Sequence, residues 1–396
     1  MASEGDKKMG SFRVADFSTH FPGPMTAHLL RELGGDVVKF ENSRHGDGNR
    51  SLAPYVGGVS VFHAMLNSGT RSMAIDRRSD SWPETVRAAA QWADVVIVGG
   101  REGDLEDRGL GFSNLVSANP LIVYCVLSPY GHSGPWKDLP AHGQNMDAYA
   151  GAVTVEFDAE GNPSTPPSWR GPGTTVAPLF AALGVMRALL ERSRDQEAKY
   201  VEVSIWGAAL WYSWRDIVCQ ANLGRPWDGL HDLGSRYALY RTGDGRVLLV
   251  CPIEKKFWLT FCGLVGLPVE LSVRGDWSNG GMDFGAGPRY ADERADIQAR
   301  LLTRPLSHWV EVLGPAGIPM APILTLDEVL ASDHARAEKV LTTLENTSGG
   351  GPVLRVPRMP IRTDSLEPDH PTYPPMLGEH TEEILDELGL APPSRQ

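Results

Sequence analysis

The side chains best suited to chemistry lie in one short stretch, Leu139-Pro140-Ala141-His142-Gly143-Gln144-Asn145-Met146-Asp147-Ala148-Tyr149-Ala150-Gly151. A histidine, two amides, an acid and a phenol fall between positions 142 and 149, just after a turn-rich loop from Ser128 to Pro135. An imidazole exchanges protons near neutral pH, so His142 is a candidate general base and acid. The plainer alternatives are a solvated loop histidine or a helix cap. Asp147 is a candidate second acid, its plainer alternative being a solvated turn or helix carboxylate.

The elements that must position these groups read as α/β. Phe12 to Phe17 alternates like a strand, Pro22-Gly23-Pro24 turns the chain, and Met25 to Leu33 has helical spacing stopped by Gly34-Gly35. Asp36 to Glu41 is a second strand, which completes a β-α-β unit of a parallel sheet. The unit lacks GxGxxG, and no Walker A motif occurs, so neither a nicotinamide cofactor nor a bound nucleoside triphosphate is expected. Ala93 to Val98 is a near-continuous apolar run, as a central parallel strand requires. Gly99-Gly100-Arg101 follows at its carboxyl end, where open α/β sheets bind ligands, so Arg101 is a candidate anion contact. Its alternative is a surface arginine paired with Glu102 or Asp104. Leu121 to Leu127 is the next buried strand and leads to His142. Val176 to Glu191 reads as a buried helix, Tyr200 to Ser204 as a strand, and Ile205 to Asn222 as a tryptophan-rich helix. Strands Tyr237–Arg241 and Arg246–Val250 flank Gly243-Asp244-Gly245, a hairpin signal. The helical, glycine-broken stretch that follows reads as a smaller second domain. Val353 to Arg358 is a strand, and Thr381 is placed to cap a last helix.

Bulk properties narrow the function classes. The 396 residues are 42% apolar, enough for a packed core, and the formal charge of -12 argues against nucleic-acid or anionic-membrane partners. Cys125, Cys219, Cys251 and Cys262 are scattered without CxxC, so no metal site or disulfide framework is indicated. The segment from Met1 to Ser11 is polar, unlike a signal peptide, and no apolar run approaches a membrane span, so a cytoplasmic protein is expected.

The motifs, taken in order, resemble the class III CoA-transferase superfamily of the CaiB/BaiF type, which includes the α-methylacyl-CoA racemases. They are Gly23-Pro24, Leu33 to Glu41, Asn67 to Arg71, Ala93-Asp94-Val95, Arg108-Gly109-Leu110-Gly111, Asn119-Pro120, Gly131 to Pro135 and Leu377 to Thr381. The resemblance implies a large Rossmann-like domain built from both chain ends (1–222 and 323–396) and a smaller inserted α+β domain (223–322). It further implies an interlocked homodimer and an acyl-CoA thioester substrate, with coenzyme A at the carboxyl ends of the strands. Its transferases use an aspartate that falls here on Gly173 or Thr174, neither an acid. Its racemases pair that aspartate with a histidine backed by a glutamate; these fall on His142 and Glu254, and the arginine of the anion loop falls on Arg101. The site residues are therefore closest to the racemases, with the aspartate half absent and Asp147 as the candidate replacement. The basic residue that many relatives place after the second strand is Asn42 here; Arg44, Arg50 and Arg71 are the candidates to replace it at CoA, the plainer alternative for each being a surface ion pair. The leading expectation is α-proton transfer on a 2-substituted acyl-CoA. A CoA-transferase with a displaced nucleophile and a non-catalytic acyl-CoA-binding protein are the alternatives. Trp169, Trp206, Trp211 and Trp214 suggest a bulky pocket wall, or else core or dimer contact.

Overall fold

Six parallel strands form the central sheet of this computed structural model, which describes residues 12–227, 233–278, 280–346, 351–362 and 372–391. In chain order they are β1 (Arg13–Asp16), β2 (Asp36–Asn42), β3 (Arg71–Ile75), β4 (Val95–Gly99), β5 (Val123–Ser128) and β6 (Lys199–Ser204). Across the sheet they run 3-2-1-4-5-6. β1 therefore pairs with β2 on one side (Arg13 with Asp36) and β4 on the other (Val14 with Val95). The order of winding reverses between β1 and β4.

The central strands carry apolar side chains on both faces because helices cover both. Val95 and Ile97 of β4, with Val123 and Cys125 of β5, face α1 (Pro22–Glu32), α4 (Pro172–Asp195) and α5 (Ile205–Tyr212). Val96, Val98, Tyr124 and Val126 face α2 (Trp82–Trp92) and α10 (Thr381–Glu387). A short helix, α3 (Asn145–Tyr149), follows the long loop after β5. α1 starts at Pro22, ahead of the expected Met25, because both prolines fit a first turn whose N–H groups lack helical partners anyway. The expected Ile205–Asn222 helix breaks at Ser213 into α5 and α6 (Trp214–Leu223). Thr381 does not cap α10: its hydroxyl donates to the Gly378 carbonyl (2.8 Å) and accepts the Ala74 N–H (3.0 Å), which ties the C-terminal helix to β3.

α4 is long and apolar enough, by length and composition alone, to cross a membrane, which corrects the expectation that no run approaches such a span. Its inward residues Ala177, Ala181, Ala182, Val185 and Ala188 pack into the core. They are small because the helix lies close to β6; a Cβ on Gly184 would come 2.7 Å from the Val201 side chain. Its other face leaves Leu179, Leu183 and Leu190 exposed.

The chain divides into two compact units, Met1–Trp214 with Lys339–Gln396, and Arg215–Glu338. The second has its own antiparallel sheet of β7 (Ala238–Arg241), β8 (Val247–Val250) and β9 (Met320–Pro322). Its own core is supplied by α7 (Lys255–Val265), α8 (Ala291–Leu301) and α9 (Leu306–Leu313), with Trp258, Phe261, Leu301 and Leu313 buried.

Candidate active site

The reversal between β1 and β4 opens a crevice at the carboxyl ends of the strands, the usual ligand position in such sheets. The Ser18–Phe21 loop lines one side and Gly99–Arg101 the other. His20 in that loop is exposed and adopts φ 67°, a left-handed conformation that costs a non-glycine residue about 1 kcal/mol or more. Asp47 enforces it: its carboxylate accepts the His20 N–H at 2.9 Å and the Thr19 hydroxyl at 3.1 Å.

Asp47 is fixed in turn by Lys39, at the centre of a buried charge cluster. The Lys39 ammonium lies 2.9 Å from Asp16 and 2.8 Å from Asp47, all three side chains 1% exposed. Burial alone would lower the Lys39 pKa, but the two carboxylates hold it above its ordinary value. Burial would raise Asp47, but Lys39 and main-chain N–H groups hold it below the usual carboxylate range. Burial would raise Glu41 too, and bidentate Arg50 (2.6 and 2.7 Å) with Lys39 holds it down. This cluster floors a pocket walled by Phe17 stacked on Phe40 (4.4 Å between centroids) and by Trp82 edge-on to Phe17. Exposed Arg77 and Arg108 line the same pocket, neither ion-paired among the described residues. Aromatic faces beside unpaired guanidinium groups suit a base and its phosphates. The sequence reading missed both arginines as site residues; the available signals were the position of Arg77 two residues after β3 and of Arg108 opening Arg-Gly-Leu-Gly.

His142 lies on the loop ahead of α3 and is exposed. Its main chain is fixed by Asn145, whose side-chain oxygen accepts the His142 N–H (2.7 Å) and whose N–H donates to the His142 carbonyl (3.0 Å). The imidazole makes no hydrogen bond among the described residues. Asp147 is different, with 1% of its surface exposed. Its Oδ1 accepts the Gly173 N–H at 2.8 Å, in the first turn of α4. Burial raises the Asp147 pKa and this hydrogen bond partly offsets the rise. It is thus neither a solvated turn acid nor a solvated helix acid. A Cβ on Gly173 would lie 2.8 Å from Asp147 Oδ1 and 2.9 Å from the Ile205 carbonyl oxygen. A side chain at 173 would displace the Asp147 carboxylate and press on the Ile205 main chain. Trp136, Tyr149 and Trp206 pack edge-to-face beside α3, and Trp206 Nε1 donates to the Tyr149 carbonyl (3.2 Å). Trp169 donates to the Ala152 carbonyl (3.0 Å), while Trp211 and Trp214 are largely exposed.

The other candidates are scattered. Arg101, on the crevice wall, grips Asp104 with Nε and Nη2 (2.9 and 3.1 Å), and its Nη1 reaches the Asp138 carbonyl (3.0 Å). Arg44 is 73% exposed beyond β2, 3.7 Å from Asp76. Arg71 begins β3, at the amino end of the sheet, among Asp36 (2.8 Å), Glu383 (2.8 Å) and Glu387 (2.5 Å). That is the opposite end from the crevice. Arg50 is committed to Glu41. Glu254, in the second unit, precedes α7 and is half-buried, and its carboxylate makes no hydrogen bond or ion pair among the described residues.

The sequence-family model described as CoA-transferase family III matches residues 9–381. The chain belongs to CoA-transferase family III. Its relatives are named for two kinds of activity. Acetyl-CoA:oxalate CoA-transferase of Acetobacter aceti is 24% identical, over 90% of this chain and 89% of that protein. Human alpha-methylacyl-CoA racemase is 27% identical, over 96% and 92%. The crystal structure of Rv3272 from Mycobacterium tuberculosis superposes with a TM-score of 0.78 at 26% identity, over 94% of this chain and 98% of that one. The family acts on CoA thioesters, and these two relatives are named as a transferase and a racemase.

Proposed function

We propose that this chain transfers the α-proton of a 2-substituted acyl-CoA, with His142 as the base and acid. The observation that supports it is a contrast in access. The His142 ring is exposed and uncommitted, whereas the Asp147 carboxylate, nearest the position where family transferases carry their nucleophile, is covered and engaged by Gly173. A nucleophile needs a free lone pair directed at the thioester carbon, and a base needs to reach a C–H bond. The imidazole takes the α-proton while the C–H electrons pass into the carbonyl to form an enolate. Return of the proton from imidazolium or water closes the cycle. Glu254 is assigned the role of the glutamate that the racemases use. The pocket of Trp82, Arg77 and Arg108 holds the nucleotide end of CoA, with Arg101 beside it in the crevice. The exposed apolar residues of α4 and α5, including Leu183, Trp211 and Tyr212, fit the contact of a homodimer.

The test is mass-spectrometric deuterium uptake in D2O from a panel of 2-methylacyl-CoA and straight-chain thioesters. Uptake at the α-carbon that disappears in His142→Ala is expected; uptake unchanged in that variant refutes the proposal. The transferase names among the relatives favour a second reading, CoA transfer between acids through Asp147. A hydroxylamine-sensitive acyl adduct on Asp147, with no α-exchange, would establish that reading instead.

A further inference from the structure

Glu254 is half-buried with no side-chain partner of its own among the described residues, yet the main chain on both sides of it is fixed. Ahead of it, the Ile253 carbonyl accepts the Asp283 N–H at 2.8 Å, and Glu254 forms an isolated antiparallel bridge with Met282. Behind it, Trp258 donates its N–H to the Glu254 carbonyl (2.9 Å). Both attachments lead to one group. The fully buried Arg236 guanidinium lies 3.9 Å from the Trp258 ring centroid and 3.7 Å from the Asp283 carboxylate. Glu293, also fully buried, neutralises it with two contacts of 2.9 Å. Asp283 is further held by the Tyr290 hydroxyl and by the N–H groups of Asp276 (2.6 Å) and Gly285 (2.8 Å).

A buried guanidinium among two carboxylates and three aromatic rings is more than a small domain needs for cohesion, because well-packed apolar residues serve at least as well. What such a network adds is a fixed geometry. We infer that Arg236, acting through Asp283 and Trp258, is a positioning residue for Glu254. It sets the height and direction at which this otherwise unsupported carboxylate leaves the start of α7. The inference rests on the proton-transfer reading above and supplies the support its second residue lacks.

The experiment uses the full chain and steady-state α-deuterium exchange on a 2-methylacyl-CoA, with Glu254→Gln, Tyr290→Phe and the double variant. Tyr290→Phe keeps the ring beside Arg236 and removes only the hydroxyl that holds Asp283. It should lower kcat on the order of ten-fold with KM within about two-fold, since sub-ångström misplacement acts on the reacting geometry rather than on binding. On the Glu254→Gln background the same change should have no further effect, because the two residues act through one group. Should Tyr290→Phe fail to fold, Arg289→Ala, which trims an exposed contact to the same carboxylate (3.5 Å), is read the same way with a smaller factor. Wild-type kcat in Tyr290→Phe, or an equal loss on both backgrounds, overturns the positioning role while leaving Glu254 in place. Wild-type exchange in Glu254→Gln overturns the role of Glu254 itself, and this inference with it.

Discussion

Replacing Lys39 by methionine tests the floor of the crevice. The substitution keeps the length and removes the charge, leaving Asp16 and Asp47 buried without their shared cation. Losing one partner of a buried pair costs about 3–5 kcal/mol. The lower end applies here, because Asp16 still accepts the Ser18 N–H and Asp47 those of His20 and Asn49. That is a large part of the ~5–15 kcal/mol typical of a folded domain. The sign with pH follows from the pKa directions. Asp47 and Glu41 are lowered, so their contribution is present above the ordinary carboxylate pKa near ~4 and is lost as pH falls through the folded values. Lys39 is raised, so its contribution is present below ~10 and is lost as pH rises through the folded value. In Lys39→Met the stranded carboxylates take up protons instead, so the deficit narrows on acidification. Urea unfolding followed by far-UV circular dichroism should give a deficit of about 3 kcal/mol at neutral pH, smaller by about 1 kcal/mol or more near pH 5. A variant within about 1 kcal/mol of wild type at neutral pH, or a deficit that does not change with pH, refutes the reasoning.

Other substitutions separate binding from scaffolding. Arg108→Ala should weaken CoA binding about ten-fold by calorimetry, with a smaller penalty in high salt, as for the loss of one charged hydrogen bond to a phosphate. Arg71→Ala should leave CoA affinity within about two-fold, because its guanidinium is spent on three acids at the amino end of the sheet; a modest fall in Tm, for a partly exposed network of about 1 kcal/mol, is its expected effect. Asp147→Asn keeps an oxygen that accepts the Gly173 N–H, so α-exchange should stay within about five-fold of wild type. Abolition of exchange would make the carboxylate itself a reacting group.

The sheet was legible in the sequence because its central strands are buried on both faces, so Val95 to Val98 and Val123 to Leu127 appear as apolar runs without need of a partner. The site was legible only where its residues are local. His142 stands out by type and by the loop around it. The burial of Asp147 does not, since it depends on an amide 26 positions away. Two of the three ion pairs that occupy Arg71 join residues more than 300 positions apart, and a lone arginine gives no sign of them. Arg77 and Arg108 line one pocket only when the chain after β3 and the loop after β4 meet over the carboxyl ends of β1 and β2. The left-handed turn at His20 is invisible for the same reason: Asp47, which enforces it, arrives from the loop after β2.

The contact between Asp147 and Gly173 also constrains how this sequence can change. Asp147 Oδ1 occupies the space a Cβ at 173 would need, with the Ile205 main chain tight behind it. An acid at 173 therefore cannot simply be added to the present chain. Asp147 must turn aside or shrink, and the Ile205 main chain must yield as well, so the residue that 173 accepts depends on the one at 147. The two positions are therefore coupled, although 26 residues separate them in the chain.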